Sequence, residues 1–183
     1  NKNLKVAHCD NTACTSATTS TLDSVGDVGD QTSITIGADG LGLISYYDDT
    51  NTALKVAHCD NTNCTSATKT TLDSTGRVGE YTSITIGADG LGLISYHDWT
   101  NNNLKVAHCD NSKCTSATTS TLDSLGSIGE YTSITIGADG LGLISYYGDI
   151  FTGLKVAHCD NALCTSATTS AIRGNIDAGI SYT

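Results

Sequence analysis

The segment TSITIGADGLGLISY at Thr32–Tyr46 decides the fold of this chain. The same letters recur at Thr82–Tyr96 and Thr132–Tyr146, so the spacing is 50 residues each time (32, 82 and 132). A second segment, LKVAHCDN, keeps the same register and begins at Leu4, Leu54, Leu104 and Leu154. A sequence of this kind is a repeat protein in which one structural unit is used several times.

One repeat, from Gln31 to Gly79, contains four segments with strand character. Ser33–Ile36 alternates polar and apolar residues, which is the period of a β-strand. Ala38–Gly40 carries an Asp-Gly pair, a strong hairpin signal, and predicts a primed turn. The other three segments are rich in aliphatic, aromatic or β-branched residues and are Leu41–Tyr47, Leu54–Cys59 and Thr65–Leu72. No segment shows the spacing of apolar residues that is typical of a helix.

Four short antiparallel strands in every 50-residue repeat predict an all-β fold of propeller-like blades. We expect about four blades, with the strand after the long connection innermost and the Thr-rich strand outermost. A parallel β-helix is the alternative, but its coils are usually shorter and lack a hairpin at each turn.

The two ends of the sequence read as two parts of one blade. The chain begins within a repeat, before the third strand, and ends within a repeat, at Ile180-Ser181-Tyr182 of the second strand. We therefore predict a single repeat domain with one split blade, which residues 175–183 of the same or a neighbouring chain complete. The predicted parts are residues 1–30 (half blade), 31–80, 81–130 and 131–174 (blades), and 175–183 (half blade).

The eight cysteines fall into four pairs with one spacing, Cys9/Cys14, Cys59/Cys64, Cys109/Cys114 and Cys159/Cys164. An even, locally paired set predicts disulfides and an oxidising compartment, hence an extracellular or cell-surface location. Zinc is the alternative, because a histidine precedes the first cysteine of each pair. Neighbours on a strand point to opposite faces, however, and the gap is wider than in common zinc sites. The chain starts at Asn1, and one interpretation is that a targeting segment has been removed.

The charge distribution narrows the range of partners. Nine basic and nineteen acidic residues give a net charge of −10. A nucleic acid or an anionic membrane surface requires a basic stripe, and the sequence has none. No apolar run approaches the roughly 20 residues that span a bilayer. We expect no nucleic acid, no membrane span and no cofactor.

No pattern in the sequence indicates catalytic chemistry. Recurrent acidic residues such as Asp39, Asp48 and Asp60 lie in predicted turns, where Asp is favoured for its own hydrogen bonds. A calcium site built from these turns is the alternative, although no D-x-D-x-D-G spacing supports it. A nucleophile repeated identically in each blade would be unusual, because active sites normally break symmetry. The sequence therefore predicts no enzyme, no catalytic residue and no metal site.

The phrases TSITIGADG, LISYYD and LKVAHC resemble a tandem repeat of bacterial secreted or surface proteins of β-propeller type. The resemblance covers nearly the whole chain. It implies a blade for each repeat and an extracytoplasmic setting. It implies no activity and no catalytic residue.

Two functions follow as hypotheses. The first is a secreted structural protein that associates with copies of itself, as an extracellular filament joined by strand complementation. The residues predicted to make these contacts are Leu4, Val6, Ile176, Ile180, Tyr182, Trp99, Ile150 and Phe151. The alternative is a propeller-type binding module for a glycan or protein ligand that acts as a closed monomer. The low aromatic content counts against a sugar site in every blade.

Overall fold

The computed structural model describes residues 2–148 and 153–172, and the regular structure in these ranges is entirely β. None of the described residues form a helix long and apolar enough to cross a membrane. The strands are β1 (Leu4–Cys9), β2 (Ala17–Asp23), β3 (Val28–Ile36), β4 (Gly42–Asp48), β5 (Ala53–Cys59), β6 (Ala67–Asp73), β7 (Val78–Ile86), β8 (Gly92–Asp98), β9 (Asn103–Cys109), β10 (Ala117–Asp123), β11 (Glu130–Ile136), β12 (Gly142–Tyr147), β13 (Leu154–Cys159) and β14 (Ala167–Ala171).

These strands form three four-stranded antiparallel sheets and one two-stranded sheet. The four-stranded sheets are β3–β6, β7–β10 and β11–β14, each paired in chain order, and β1 pairs with β2. The predicted all-β fold of four-stranded antiparallel units is confirmed. The first strand of each repeat is longer than predicted, since β3 already begins at Val28 and continues through a break in its pairing register to Ile36.

The first strands of the three sheets, β3, β7 and β11, lie side by side. The amide of Ile84 donates to the Ser33 hydroxyl at 3.2 Å, and the amide of Ile134 donates to the Ser83 hydroxyl at the same distance. The Thr82 hydroxyl donates to that of Ser45 at 2.9 Å. These three innermost strands meet on one side of the molecule, and we call that side the axis.

The second and third sheets each have one apolar face toward the preceding sheet and one toward the following sheet. We call these the leading face and the trailing face. Between the second and third sheets, Leu54 and Val56 of the trailing face pack in one buried cluster with Ile84 and Ile94 of the next leading face. Equivalent clusters form at the junctions on either side. The core is therefore a series of sheet-to-sheet junctions rather than the interior of any one sheet.

The predicted disulfides are present, and all but Cys9–Cys14 are buried in these junctions. The bonds are Cys9–Cys14, Cys59–Cys64, Cys109–Cys114 and Cys159–Cys164. Four such bonds are typical of an oxidising, extracellular environment. They also explain a recurrent glycine: a Cβ on Gly92 would stand 2.8 Å from the sulfur of Cys109 and 2.9 Å from Leu43 of the preceding sheet. Glycine is required where the disulfide and the adjacent sheet approach the backbone this closely.

A buried polar contact joins each sheet to the next. At the end of β6, the carboxylate of Asp73 accepts hydrogen bonds from the Tyr96 hydroxyl at 2.7 Å and from the Lys105 ammonium at 2.5 Å. The same ammonium lies 5.6 Å from the centre of the Tyr96 ring, within range of a cation–π interaction. The same three residue types meet at the other two junctions, as Asp23–Tyr46–Lys55 and Asp123–Tyr146–Lys155. We call this contact the Asp–Tyr–Lys tether.

The hairpin between the first two strands differs from the predicted primed turn. Gly37 donates to the carbonyl of Leu41 at 2.8 Å, and Gly40 donates to that of Gly37 at 2.9 Å. Gly40 has a φ of 78°, whereas Ala38 and Asp39 do not have positive φ. This is a three-residue loop in which an ordinary turn is followed by a left-handed glycine. The predicted primed turn is wrong, although the left-handed glycine that such a turn requires is present.

The left-handed glycine gives a first test of the fold. A Cβ added to Gly90 would have Ala38 as its nearest neighbour, at 3.4 Å, so there is space for a side chain. The φ of Gly90 is 81°, however, and this backbone conformation is unfavourable for residues with a side chain. Gly90→Val should lower the free energy of unfolding by about 1–2 kcal/mol, because a β-branched residue disfavours this conformation. Gly90→Asn is the control and should cost less, since Asn tolerates positive φ. Equal urea unfolding curves for the two variants would contradict the assigned turn.

The tether gives a second test. Burial raises the pKa of Asp73, but hydrogen bonds from Lys105, Thr75 and Tyr96 outweigh it and lower that pKa from 3.8 to about 2. Because the unfolded chain binds this proton more readily, the tether stabilises the fold above pH 3.8, and this stability disappears as the pH falls toward 2. Asp73→Asn should cost about 3–5 kcal/mol at pH 7, since it leaves a buried lysine without its counter-charge.

The pH dependence separates this effect from a general loss of stability. Asp73→Asn should show a shallower fall in melting temperature between pH 4 and pH 2 than the wild-type chain. The exposed residue Asp110 provides the control, and Asp110→Asn should leave the wild-type profile in place. A wild-type profile in Asp73→Asn as well would show that the tether does not titrate as described.

Candidate functional site

The innermost strands share an irregularity near their starts. The pairing register shifts between Asp30 and Ser33 in β3 and between the equivalent residues of β7 and β11. Within this shift, Gln31, Tyr81 and Tyr131 have φ values of 50°, 53° and 51°. Positive φ is unfavourable for bulky residues and is tolerated in bulges, where one residue is turned out of the ladder. Such strained residues are more frequent at functional sites than elsewhere.

The bulge residues and their successors line a shallow cavity of about 300 Å³ at the axis, which is widely open to solvent. Its lining consists of Gln31, Thr32, Tyr81, Thr82, Tyr131 and Thr132, two from each innermost strand. The rings of Tyr81 and Tyr131 lie 4.4 Å apart at an angle of 48°. Tyr131 is 66% exposed, so its ring is accessible from solvent. We call this cavity the axial site.

Two buried side chains behind the axial site have polar atoms without hydrogen-bond partners among the described residues. They are Tyr47, through its hydroxyl, and His97, through both ring nitrogens. His97 lies 6.1 Å from Tyr81, measured between ring centres, and is opposite Glu80 in the strand pairing. Buried polar groups are nearly always satisfied, so the His97 nitrogens call for water or a ligand, whereas the Tyr47 hydroxyl has the Arg77 guanidinium close by.

Acidic residues surround this end of the innermost strands. Position 30 of the repeat carries Asp30, Glu80 and Glu130, each directly before a bulge residue. Glu80 is buried and accepts a hydrogen bond from Arg77 Nε at 2.6 Å. Arg77 also lies 4.9 Å from the ring centre of Trp99. The rim of the axial site thus carries three carboxylates, and two of them have a basic partner, Lys2 for Asp30 and Arg77 for Glu80.

The titration behaviour of the aromatic groups follows from burial and these carboxylates. Burial, together with the neighbouring Tyr131 hydroxyl, raises the pKa of Tyr81 to about 12. Burial also lowers the pKa of His97, although Glu130 and Glu80 oppose that effect. Tyr81 is protonated at neutral pH, and an imidazole with a lowered pKa is neutral there. Tyr81 can then donate a hydrogen bond, and His97 can both donate and accept one.

The residues predicted to make assembly contacts are not brought together by the described structure. Leu4 is buried and Val6 half-buried against the sheet that begins at β3. Trp99 is half-exposed and packs over Arg77. The other predicted contact residues, Ile150, Phe151, Ile176, Ile180 and Tyr182, lie outside the described residues.

The recurrent turn carboxylates have protein partners. Asp39 lies 2.8 Å from His58 Nε2, and it accepts a hydrogen bond from the Leu41 amide at 3.1 Å. Asp48 accepts from the amide of Asn51 at 2.9 Å. In the part of the chain that the structure describes, no three His, Cys, Asp or Glu residues are grouped as metal ligands.

The axial site involves positions at which the repeats differ, whereas the residues that predict the fold are identical in every repeat. The repeats differ immediately before Thr32, where position 31 is Gln, Tyr and Tyr in turn, and position 30 is Asp, Glu and Glu. Position 47 also varies, as Tyr47, His97 and Tyr147. The fold brings these variable positions together at the axis. The repeats differ in other places as well, such as the turn after the second strand, so variation alone did not identify the axis.

The chain matches no protein-family model, and no curated protein matches its sequence. Solved structures do share its fold. A protein of unknown function from Dyadobacter fermentans aligns with a TM-score of 0.59 and 14% identity, over 76% of this chain and 40% of its own. A GH43 β-1,3-galactosidase aligns with a TM-score of 0.59 and 13% identity, over 77% of this chain and 31% of its own.

A third structure, an α-L-arabinofuranosidase of GH43 type from Clostridium thermocellum, gives a TM-score of 0.53 and 14% identity, over 77% of this chain and 49% of its own. This chain thus spans less than half the length of each of these structures. The likeness establishes a propeller-like fold. It also contradicts the prediction that the chain is not an enzyme, because glycoside hydrolases have this fold.

Proposed function

We propose that this chain is a carbohydrate-binding module of propeller type, with the axial site as its binding site. The observation that carries the proposal is the accessible tyrosine pair, Tyr81 and Tyr131, in a cavity of about 300 Å³. Ligand sites combine apolar and aromatic walls with a few placed polar groups, and their volumes begin near this value.

The lining suits a sugar better than a purely apolar ligand. A tyrosine offers a flat apolar face for the C–H groups of a sugar ring and a hydroxyl for its oxygens. Threonine hydroxyls add further polar atoms, although that of Thr82 is shared with Ser45 and that of Thr132 with the carbonyl of Tyr81. The unpartnered nitrogens of His97 lie behind the tyrosines and can be reached through water.

Charge restricts the kind of sugar. The rim carries Asp30, Glu80 and Glu130, and the chain has a net charge of −10. A sulfated or uronic acid glycan would be repelled by this field. The proposed ligand is a neutral saccharide. The fold neighbours named above as a galactosidase and an arabinofuranosidase act on carbohydrates, which supports the same ligand class here.

The sequence-based hypothesis of a secreted filament subunit is not supported by the axial site. Secretion fits the four disulfides. We keep an extracellular location as part of the proposal, with a glycan rather than a neighbouring subunit as the ligand of the axial site. Association between copies would use other surfaces.

Binding can be tested with one exposed side chain. The wild-type chain is titrated with neutral oligosaccharides, including β-1,3-galactose and arabinofuranose oligomers, in a calorimeter. Tyr131→Ala should weaken binding about tenfold or more, as expected for the loss of one aromatic face. Tyr131→Phe is the matched control, because it keeps the ring. It should retain most of the affinity.

Two results would overturn the proposal. One is that no neutral saccharide binds to the wild-type chain. The other is that Tyr131→Ala binds as tightly as the wild-type chain. Since Tyr131 is exposed, its truncation should leave the melting temperature nearly unchanged, which distinguishes lost binding from lost folding.

Glycoside hydrolysis is a second candidate function, and the carboxylates of the rim favour it. Glycosidases use a pair of Asp or Glu side chains across the scissile bond. Glu80 and Glu130 lie on neighbouring innermost strands, each directly before a tyrosine of the axial site. Their spacing in sequence did not suggest a pair, because 50 residues separate them.

Hydrolysis is tested with the saccharides that bind. Release of reducing ends by the wild-type chain, abolished in Glu130→Gln while binding remains, would establish an enzyme. Binding without release would leave the module function alone. Glu80→Gln is less informative, since Glu80 also holds Arg77 in place.

A further inference from the structure

The β7–β10 sheet carries the one tryptophan of the chain, beside an arginine. Trp99 directly follows β8, and Arg77 directly precedes β7. The guanidinium carbon of Arg77 lies 4.9 Å from the centre of the Trp99 ring, within range of a cation–π interaction. Trp99 is 49% exposed, so part of its ring surface is open to solvent.

Backbone and side-chain contacts hold this pair in place. The amide of Trp99 donates to the carbonyl of Arg77 at 2.9 Å, and the amide of Arg77 donates to the Thr100 hydroxyl at 2.8 Å. Arg77 Nε donates to the buried carboxylate of Glu80 at 2.6 Å. The Trp99 ring therefore lies on a guanidinium that is itself fixed. Binding to a ring that is already fixed costs little side-chain entropy.

The arginine and the tryptophan occur together in one repeat. In the preceding sheet the equivalent backbone hydrogen bond runs from the Asp49 amide to the Asp27 carbonyl at 3.0 Å, so the turn has the same backbone contact there. Its two side chains are both acidic, and the third repeat has serine and aspartate at these positions. The turn between the second and third strands therefore requires neither Arg77 nor Trp99.

The same repeat carries residues of the axial site. Tyr81 lines the cavity, Glu80 precedes it, and His97 lies behind it with both ring nitrogens unpartnered among the described residues. His97 is paired with Glu80 across the two strands, and Trp99 follows two residues later, about 7 Å further along at the usual rise of a strand. Trp99 and the axial site thus lie at the same end of β7 and β8, with Glu80 and Arg77 between them.

The surroundings of Trp99 suit a neutral sugar ring. An aromatic side chain offers a flat apolar face to the C–H groups of a sugar. Thr100 and Asn102 beside it are polar and exposed, and their side chains can form hydrogen bonds with sugar hydroxyls. Arg77 and Glu80 compensate each other's charge, so the support of the ring carries no net charge. The ligand class is therefore the one proposed for the axial site.

We propose that Trp99 forms a second sugar subsite, and that the chain binds a neutral oligosaccharide that contacts both the axial site and the Trp99 ring. This inference rests on the function proposed above and adds the length of the ligand to it. A short saccharide fills the axial site and does not reach Trp99. A longer one contacts both, so its affinity depends on Trp99. Arg77 is a positioning residue, since Glu80 and the ring already occupy its guanidinium.

The single tryptophan makes this subsite directly observable. The wild-type chain is titrated with galactose and its β-1,3-linked oligomers of increasing length, and with the matching arabinofuranose series, while the fluorescence of Trp99 is recorded. The longer saccharides should shift the emission to shorter wavelength and protect the ring from quenching by acrylamide, because a stacked sugar removes water from it. The shortest saccharide that binds should cause neither change.

Calorimetry of the same saccharides gives an independent test. Trp99→Ala should bind the longest saccharide about tenfold more weakly than the wild-type chain, as expected for the loss of one aromatic face, and the shortest one equally well. Trp99→Phe is the matched control and should retain most of the affinity, because it keeps a ring. Tyr131→Ala should weaken the binding of both saccharides. Since Trp99 is half-exposed, its truncation should leave the melting temperature nearly unchanged.

The results that would overturn the subsite differ from those that would overturn the axial site. Suppose that the longest saccharide binds and Tyr131→Ala weakens it, but the fluorescence and quenching of Trp99 do not change. The axial site then stands and the subsite is wrong. The subsite is also wrong if Trp99→Ala binds the longest saccharide as tightly as the wild-type chain, or weakens the shortest one to the same degree. If no neutral saccharide binds, both proposals are wrong.

Discussion

Every sheet in this chain has two apolar faces, and it can bury them only against sheets of the same kind. A 50-residue unit of four strands has too little interior to be stable by itself. The side chains of Leu54 and Val56 become core only when the next sheet supplies Ile84 and Ile94. Repetition is therefore a physical requirement of the fold. The repeats share the same residues because the same junction between sheets is formed several times.

The polar contacts follow from the same junction. The Asp–Tyr–Lys tether takes its carboxylate from one sheet and its tyrosine and lysine from the next. A buried charge is tolerated only when it is paired and hydrogen-bonded, so the tether is formed only when the two sheets are correctly aligned. Each tether joins the end of one sheet to the second and third strands of the next, beside the apolar cluster of the same junction.

Much of this could be predicted from sequence, and the missed parts have physical reasons. Alternation in Ser33–Ile36 and the constant cysteine spacing identified strands and disulfides, because both signals are local. The axial site was not local. Tyr81 and Tyr131 are 50 residues apart, and they meet only because a bulge turns each out of its ladder. The primed turn was wrong for a related reason, since Asp-Gly alone does not distinguish a two-residue from a three-residue loop.

Residues that are identical in every repeat form the junctions between sheets, whereas residues that vary between repeats include those that line the axial site. Positions that form the junctions, such as Leu54 and Cys59, are the same in every repeat, because each junction gives them the same surroundings. Positions at the axis face a shared cavity instead, and there the surroundings of one repeat include the side chains of the others. Gln31, Tyr81 and Tyr131 can therefore differ without disturbing any junction. In a repeat fold of this kind, residues at the axis can change to form a binding site while the junctions between sheets maintain the stability of the fold.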